Sequence, residues 1–219
     1  MGAWALPAPC AHVPWLCHAL GVARRAAIAP GSVGLTFDDG PHPEGTPAVL
    51  DVLARRGATA TFFVVGEQVR RHPGLLEEIV AAGHRLAVHG DRHVCQLRRT
   101  PRGLAADADR CAALVRAVQP GPVTHWRAPY GVFSAAGLAL GRRRGWQPLL
   151  WSRWGRDWTA RARPEVIARR AGAAATAGDV LLLHDADDYS AAASWRRTVA
   201  ALPGLLDHLQ ERGLGATAL

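Results

Sequence analysis

The stretch GLTFDDGPHP, residues 34–43, ends a short apolar run on two adjacent aspartates and closes it with Gly-Pro. Side chains alternate across a strand, so Asp38 and Asp39 cannot share one face unless the chain is already turning there. Asp-Gly and Gly-Pro are ordinary turn punctuation, and on their own the two carboxylates mean no more than that. The choice between a turn signal and a shared site rests on the rest of the chain.

Outward from this stretch, apolar runs alternate with segments that carry helix start and stop signals. Residues 33–37 read as a strand, and Thr46 caps a helix with Pro47 in its first turn and Gly57 as its stop. Residues 59–65 form a second strand, 73–83 a helix and 85–89 a third strand. Thr100-Pro101 opens a long helix with Leu104, Cys111, Leu114, Val115 and Val118 at helical spacing. Residues 123–126 are a weak fourth strand, Ser134 caps the next helix, and 148–151 (PLLW) are a fifth strand. Pro164 starts another helix, 179–184 (DVLLLH) are a sixth strand, 194–212 are amphipathic, and 214–219 close the chain as a seventh strand. Strands alternating with helices in this way mark βα units and a parallel sheet. So many consecutive units without a glycine-rich dinucleotide loop favour an α/β barrel over a doubly wound sheet. One domain spans residues 31–219, and residues 1–30 are a segment of unassigned role, expected to pack against the side or bottom of the barrel.

The composition fits a folded globular chain. It has 219 residues, 49% hydrophobic and 20% charged, with a formal net charge of +8. Every basic residue is arginine. The arginines are scattered in pairs such as Arg24-Arg25, Arg55-Arg56 and Arg98-Arg99 rather than clustered among aromatics on one element, which argues against a nucleic-acid partner. The four cysteines show no C-x-x-C pair; free thiols are the default, and Cys10–Cys17 is the only bridge considered. Prolines interrupt the apolar N-terminus, which makes a poor signal peptide and no membrane span. The compartment stays open, with the cytoplasm favoured, and the oligomeric state is not specified.

The polar residues fall into one pattern on this map. Asp38 and Asp39 follow the first strand, His89 ends the third with His93 four residues on, Arg127 follows the fourth, Asp157 lies beyond the fifth, and His184 ends the sixth. All sit at the C-terminal ends of strands, the face where parallel barrels build active sites. His89 and His93 with one aspartate make a two-histidine, one-carboxylate set with positions open for water, which suits a catalytic divalent cation. Such a cation lowers the pKa of a water it holds, and the second aspartate can act as base. His184 is suited to protonate a leaving group, Asp157 to keep that histidine charged, and Arg127 to orient the free aspartate.

TFDDG (36–40), HGDRH (89–93), RAPYG (127–131), GRDW (155–158) and VLLLH (180–184) occur in the order of the five motifs of the polysaccharide deacetylases, and the chain resembles that family. These are the NodB-homology domains, or carbohydrate esterase family 4. The resemblance covers residues 33–218 and implies a distorted (β/α) barrel of seven or eight parallel strands with outer helices. It also implies metal-dependent hydrolysis of N-acetyl groups on amino sugars. Carried over by position, it makes Asp38 the base, Asp39, His89 and His93 the metal ligands, with zinc as the default ion, and His184 the acid. Arg127 positions Asp38, Asp157 tunes His184, the Tyr130 backbone helps to hold the oxyanion, and Trp158 lines the groove.

Two positions depart from the family pattern. Gly90 stands where a serine or threonine usually follows the first metal histidine, which puts the rigidity of that loop in question. Trp154 stands where an acidic residue usually precedes the fourth motif's Asp-Trp, and with Trp151 and Trp158 it could stack on a sugar or an apolar aglycone. The expected substrate is an acetylated amino sugar: a chitin-like oligomer, a peptidoglycan glycan or a glycosylated metabolite. The lack of a signal peptide tilts this expectation towards a soluble or small one. The competing reading is a carbohydrate-binding protein on a catalytically silent deacetylase scaffold.

Overall fold

A computed structural model describes residues 13–219. Cys10, and with it the Cys10–Cys17 pairing, lies outside the described residues. The sheet is built from β1 (Ser32–Asp38), β2 (Thr61–Val65), β3 (Arg85–Gly90), β4 (His125–Trp126), β5 (Gln147–Pro148), β6 (Arg153–Trp154), β7 (Val180–His184) and β8 (Gly215–Thr217). Its order is β5-β4-β3-β2-β1-β7-β6, and every pairing along that path is parallel. This is the parallel, curled sheet of a distorted (β/α) barrel. The long strands are buried on both faces, which is why they read as unbroken apolar runs.

The helices are α1 (Pro14–Leu20), α2 (Gly45–Arg55), α3 (Gly66–Arg71), α4 (Leu75–Ala81), α5 (Pro101–Val118), α6 (Ala135–Arg144), α7 (Pro164–Gly172) and α8 (Ser194–Glu211). Two of the expected caps form: Thr100 accepts from Gly103 N–H and Ser134 from Gly137 N–H. The Thr46 cap does not. His42 Nδ1 accepts from the N–H groups of Glu44 and Gly45 in its place, while Thr46 Oγ1 accepts from His42 N–H and donates to Asp185.

The fifth expected strand, 148–151, does not form as such: β5 ends at Pro148 and β6 begins beyond it at Arg153, and the hydrogen bonds in between show why. Between β5 and β6 the carbonyls of Leu149 and Leu150 accept from Arg127, and that of Trp151 accepts from Arg24. With their carbonyls bonded to side chains, these residues are satisfied without a neighbouring strand. The sheet ends, β5 and β6, therefore do not pair directly. A strap after α1 crosses the gap: Ala23 N–H donates to Pro148 O, Leu150 N–H to Ala23 O, and Ala26 N–H to Gly178 O. Residues 23–26 thus pack along the open side of the sheet. At the same end β8 pairs with Ser32–Gly34 of β1, and Thr59 N–H donates to Ala216 O. Among the described residues no helix is long and apolar enough to cross a membrane.

Candidate active site

Asp38 is the last residue of β1, and Asp39 departs from the strand with a φ of 81°. Positive φ is uncommon for a residue other than glycine, and aspartate tolerates it better than most. That turn breaks the alternation of the strand, so the two neighbouring carboxylates line one cavity. Asp38 Oδ1 accepts from Arg127 Nη1 at 2.6 Å. The guanidinium is fully buried over the Phe63 ring, and it also donates to Thr36 Oγ1 and to the carbonyls of Leu149 and Leu150. Burial pulls the Arg127 pKa below its usual value against the opposing pull of Asp38, yet a guanidinium so placed stays charged. With Oδ1 held, Oδ2 is the Asp38 oxygen left for chemistry.

His89 reaches the same cavity from β3 and His93 from the loop that follows. His89 Nδ1 lies 2.9 Å from Arg127 O, and because a carbonyl only accepts, that nitrogen carries the proton. The lone pair of Nε2 then points away, 3.4 Å from Asp39 Oδ1. His93 Nε2 is 3.2 Å from the same oxygen. Asp39 Oδ1 is buried and makes no hydrogen bond, and the three candidate ligand atoms lie within 4.8 Å of one another. An orphaned carboxylate oxygen facing two imidazole nitrogens fits a divalent cation. A second group, His42 with Asp187 and Asp188, does not: His42 Nδ1 accepts backbone N–H groups, so its Nε2 carries the proton that faces Asp187.

Across the cavity, His184 ends β7 in direct register with Asp38. Its Nδ1 lies 3.0 Å from Asp157 Oδ1, and its backbone N–H and Thr198 Oγ1 both donate to Asp157 Oδ2. Burial would lower the His184 pKa, but Asp157 first, and then Asp39 and Asp38, push it up to about 10. Trp158 stands edge-on to His184 at 5.4 Å, and Trp154 continues the wall to Trp151 with ring separations of 5.2 and 5.6 Å. The cavity of about 220 Å³ is lined by Asp38, Asp39, His89, His93, Tyr130, Trp158 and His184, with Leu182, Trp151, Trp154 and Tyr189 among the others. Arg127 and Asp157 stand behind it, fully buried. All nine residues singled out from the sequence therefore gather at one mouth.

The loop from Gly90 to His93 has supports that the sequence reading did not find. Gly90 has a φ of 122°, and a Cβ there would lie 3.1 Å from Asp107 Oδ2, so the backbone itself requires glycine. In place of the missing hydroxyl, Asp91 ties the loop down. Its Oδ1 and Oδ2 accept from Arg70 and Arg110, its N–H donates to Asp107, and its carbonyl accepts from Glu67 N–H. Arg70 and Glu67 belong to α3, a helix that no side-chain cap marks in the sequence. The available signal was Gly66: a Cβ there would meet Asp91 Oδ1 at 2.4 Å, the mark of two segments in close approach.

Comparison with known proteins agrees with this geometry. The family profile described as Polysaccharide deacetylase matches residues 27–149. A chitooligosaccharide deacetylase of Sinorhizobium fredii is 40% identical over 201 residues, 88% of this chain and 91% of that protein. A peptidoglycan-N-acetylglucosamine deacetylase of Bacillus cereus is 33% identical over 183 residues, 83% of each chain. Among solved structures, a family 4 carbohydrate esterase from Streptomyces lividans in complex with acetate superposes with a TM-score of 0.76 at 27% identity, covering 86% of this chain and 93% of that one. Likeness along nearly the whole chain, in sequence and in fold, leads to one assignment: the chain belongs to the polysaccharide deacetylase family and is a hydrolase of N-acetyl amide bonds.

Proposed function

We propose that this enzyme removes the acetyl group from an N-acetylglucosamine unit of a chitooligosaccharide, using one divalent cation, zinc, held by Asp39, His89 and His93. The observation that carries the reading is the pairing of Asp38 with His184 across adjacent strands, each with one atom tied behind the cavity and one facing it. When bound, the cation polarises the acetamide carbonyl and makes water a better nucleophile. Asp38 Oδ2 takes the proton of the attacking water, while Arg127 holds Oδ1 and fixes the carboxylate plane. The Tyr130 backbone, in a left-handed turn at the cavity rim, helps to hold the developing oxyanion. The C–N bond then breaks as His184 Nε2 gives its proton to the departing nitrogen, leaving acetate and a free amine. Asp157 keeps that imidazole charged at neutral pH and orders Nδ1 away from the substrate. Trp158 and Trp154 form the apolar wall against which the sugar ring packs.

The choice of chitooligosaccharide over peptidoglycan glycan is supported by the relatives of that name, which are 32–40% identical, two of them at 39–40%, against 33% for the Bacillus cereus protein. The test is acetate release from N-acetylated chitooligosaccharides and from peptidoglycan fragments, with the protein stripped of metal and reloaded with zinc. Zinc-dependent release from the oligosaccharides is expected, with Asp38→Asn lowering it by about 10² to 10⁴. Release from the peptidoglycan fragments alone would overturn the substrate, and full activity in Asp38→Asn would overturn the mechanism.

A further inference from the structure

The two histidines of the proposed metal site are oriented by different means. His89 is fixed by a hydrogen bond from Nδ1 to Arg127 O, the usual device for a ligating imidazole. His93 has no counterpart: its side chain is only 5% exposed, and its Nδ1 is buried without a hydrogen-bond partner. What meets the ring is aromatic. Tyr189 stacks on it at 4.2 Å with an interplanar angle of 16°, and Tyr130 meets it edge-on at 4.5 Å. Tyr130 is 59% exposed, so of the two rings Tyr189 has the firmer seat. The Tyr189 hydroxyl donates to Glu67 Oε1 at 2.6 Å and accepts from Gln68 Nε2 at 3.0 Å. Gln68 is fully buried, and the same helix α3 is tied to the His93 loop through Glu67 N–H to Asp91 O and through Arg70 to Asp91.

We infer that Tyr189 is a positioning residue: pinned by Glu67 and Gln68, its ring sets the plane of His93 and does for that ligand what the Arg127 carbonyl does for His89. The inference rests on the reading that Asp39, His89 and His93 hold a cation. A flat stack restrains ring tilt but leaves rotation within the plane to the backbone, which the Asp91 network holds. The two supports meet on α3.

The test is zinc affinity, measured by competition with a chromogenic chelator, on the stripped protein and on Tyr189→Leu, Tyr189→Met, Tyr189→Phe and His93→Ala. Tyr189→Met keeps most of the side-chain volume without a planar face, so it remains informative if Tyr189→Leu folds poorly. Losing the stack should weaken zinc binding about 10-fold, at the low end of what removing a partner of a metal-bound imidazole costs. Tyr189→Phe keeps the stack but loses the hydroxyl that Glu67 and Gln68 hold, so its zinc affinity should fall between the parent and the Met variant, and the melting temperatures of the stripped Met and Phe variants should agree. A cobalt-loaded sample should show a ligand-field spectrum altered more in the Met variant than in the Phe variant. Parent-like zinc affinity in both the Leu and Met variants, while His93→Ala loses binding, would overturn the inference. Retention of zinc by His93→Ala would instead overturn the metal-site reading beneath it.

Discussion

Two buried pairs face each other across the cleft, Asp38 with Arg127 and Asp157 with His184, and they are built for opposite tasks. In the first the carboxylate faces the cavity and the cation stands behind it; in the second the imidazolium faces the cavity and the carboxylate stands behind. A guanidinium does not give up its proton, so it can only fix and polarise Asp38. An imidazole exchanges its proton, and Asp157 raises its affinity for it. The same strand register thus places a proton acceptor beside a proton donor, and the partner behind each decides which is which.

Removing the reacting group from either pair should have the largest effect. Asp38→Asn is the more severe, because Asp39, the other carboxylate lining the cavity, is the proposed ligand of the cation. His184→Gln should lower kcat by about 10² to 10³, with KM for the oligosaccharide nearly unchanged, since proton donation matters only as the C–N bond breaks. A rise in KM alone would mean that His184 binds substrate instead of protonating the leaving nitrogen.

The partners behind should respond differently from one another. Arg127→Met leaves Asp38 buried without its counter-charge and strips the carbonyls of Leu149 and Leu150 of their donors. Breaking a buried pair from one side costs about 3–5 kcal/mol of stability. Adding Asp38→Asn to Arg127→Met should recover part of that loss, because no uncompensated charge then remains, although activity does not return. Denaturant unfolding of the two single variants and the double variant tests this, and additive losses would mean that the pair is not coupled.

The contrast between the pairs was partly legible in the sequence. The parallel βα pattern fixes which strand ends share a face, so Asp38, Asp39, His89, Arg127 and His184 could be brought to one mouth from order alone. The assignment of base and ligand between the two aspartates came only from resemblance. The geometry adds that Asp39 leaves the strand at positive φ and that Arg127 holds Asp38 alone. Three features stayed hidden because their causes are remote. The break between β5 and β6 depends on arginines at positions 24 and 127 that claim its carbonyls. Helix α3 follows β2 without an intervening turn and lacks a side-chain cap. Tyr189, in a stretch that reads as loop, meets Glu67 and Gln68 more than 120 residues away.

The smallest and most diagnostic change is Asp157→Asn. The amide keeps one acceptor: with its oxygen on Nδ1 the imidazole orientation should persist and the Thr198 hydroxyl can turn to accept from the NH2 group, while the His184 backbone N–H loses its acceptor, a fixed cost beside the lost charge. An opposite charge at this range moves a pKa by roughly 1 to 3 units. The His184 pKa should therefore fall from about 10 towards the ordinary histidine value. Because the charged form is the proton donor, the alkaline limb of the kcat profile should move to lower pH by a comparable amount. Stability gives an independent reading. The folded pKa of His184 lies above its unfolded value, so the pair's contribution is fully present below about pH 6.5 and is lost as the pH rises through about 10. Unfolding curves of parent and Asp157→Asn should differ most below about pH 6.5, and the gap should narrow to the fixed cost of the lost acceptor as the pH approaches 10. A gap that stays constant across that window would show that Asp157 supports the fold through hydrogen bonds alone, and the proton held on His184 would then need another source.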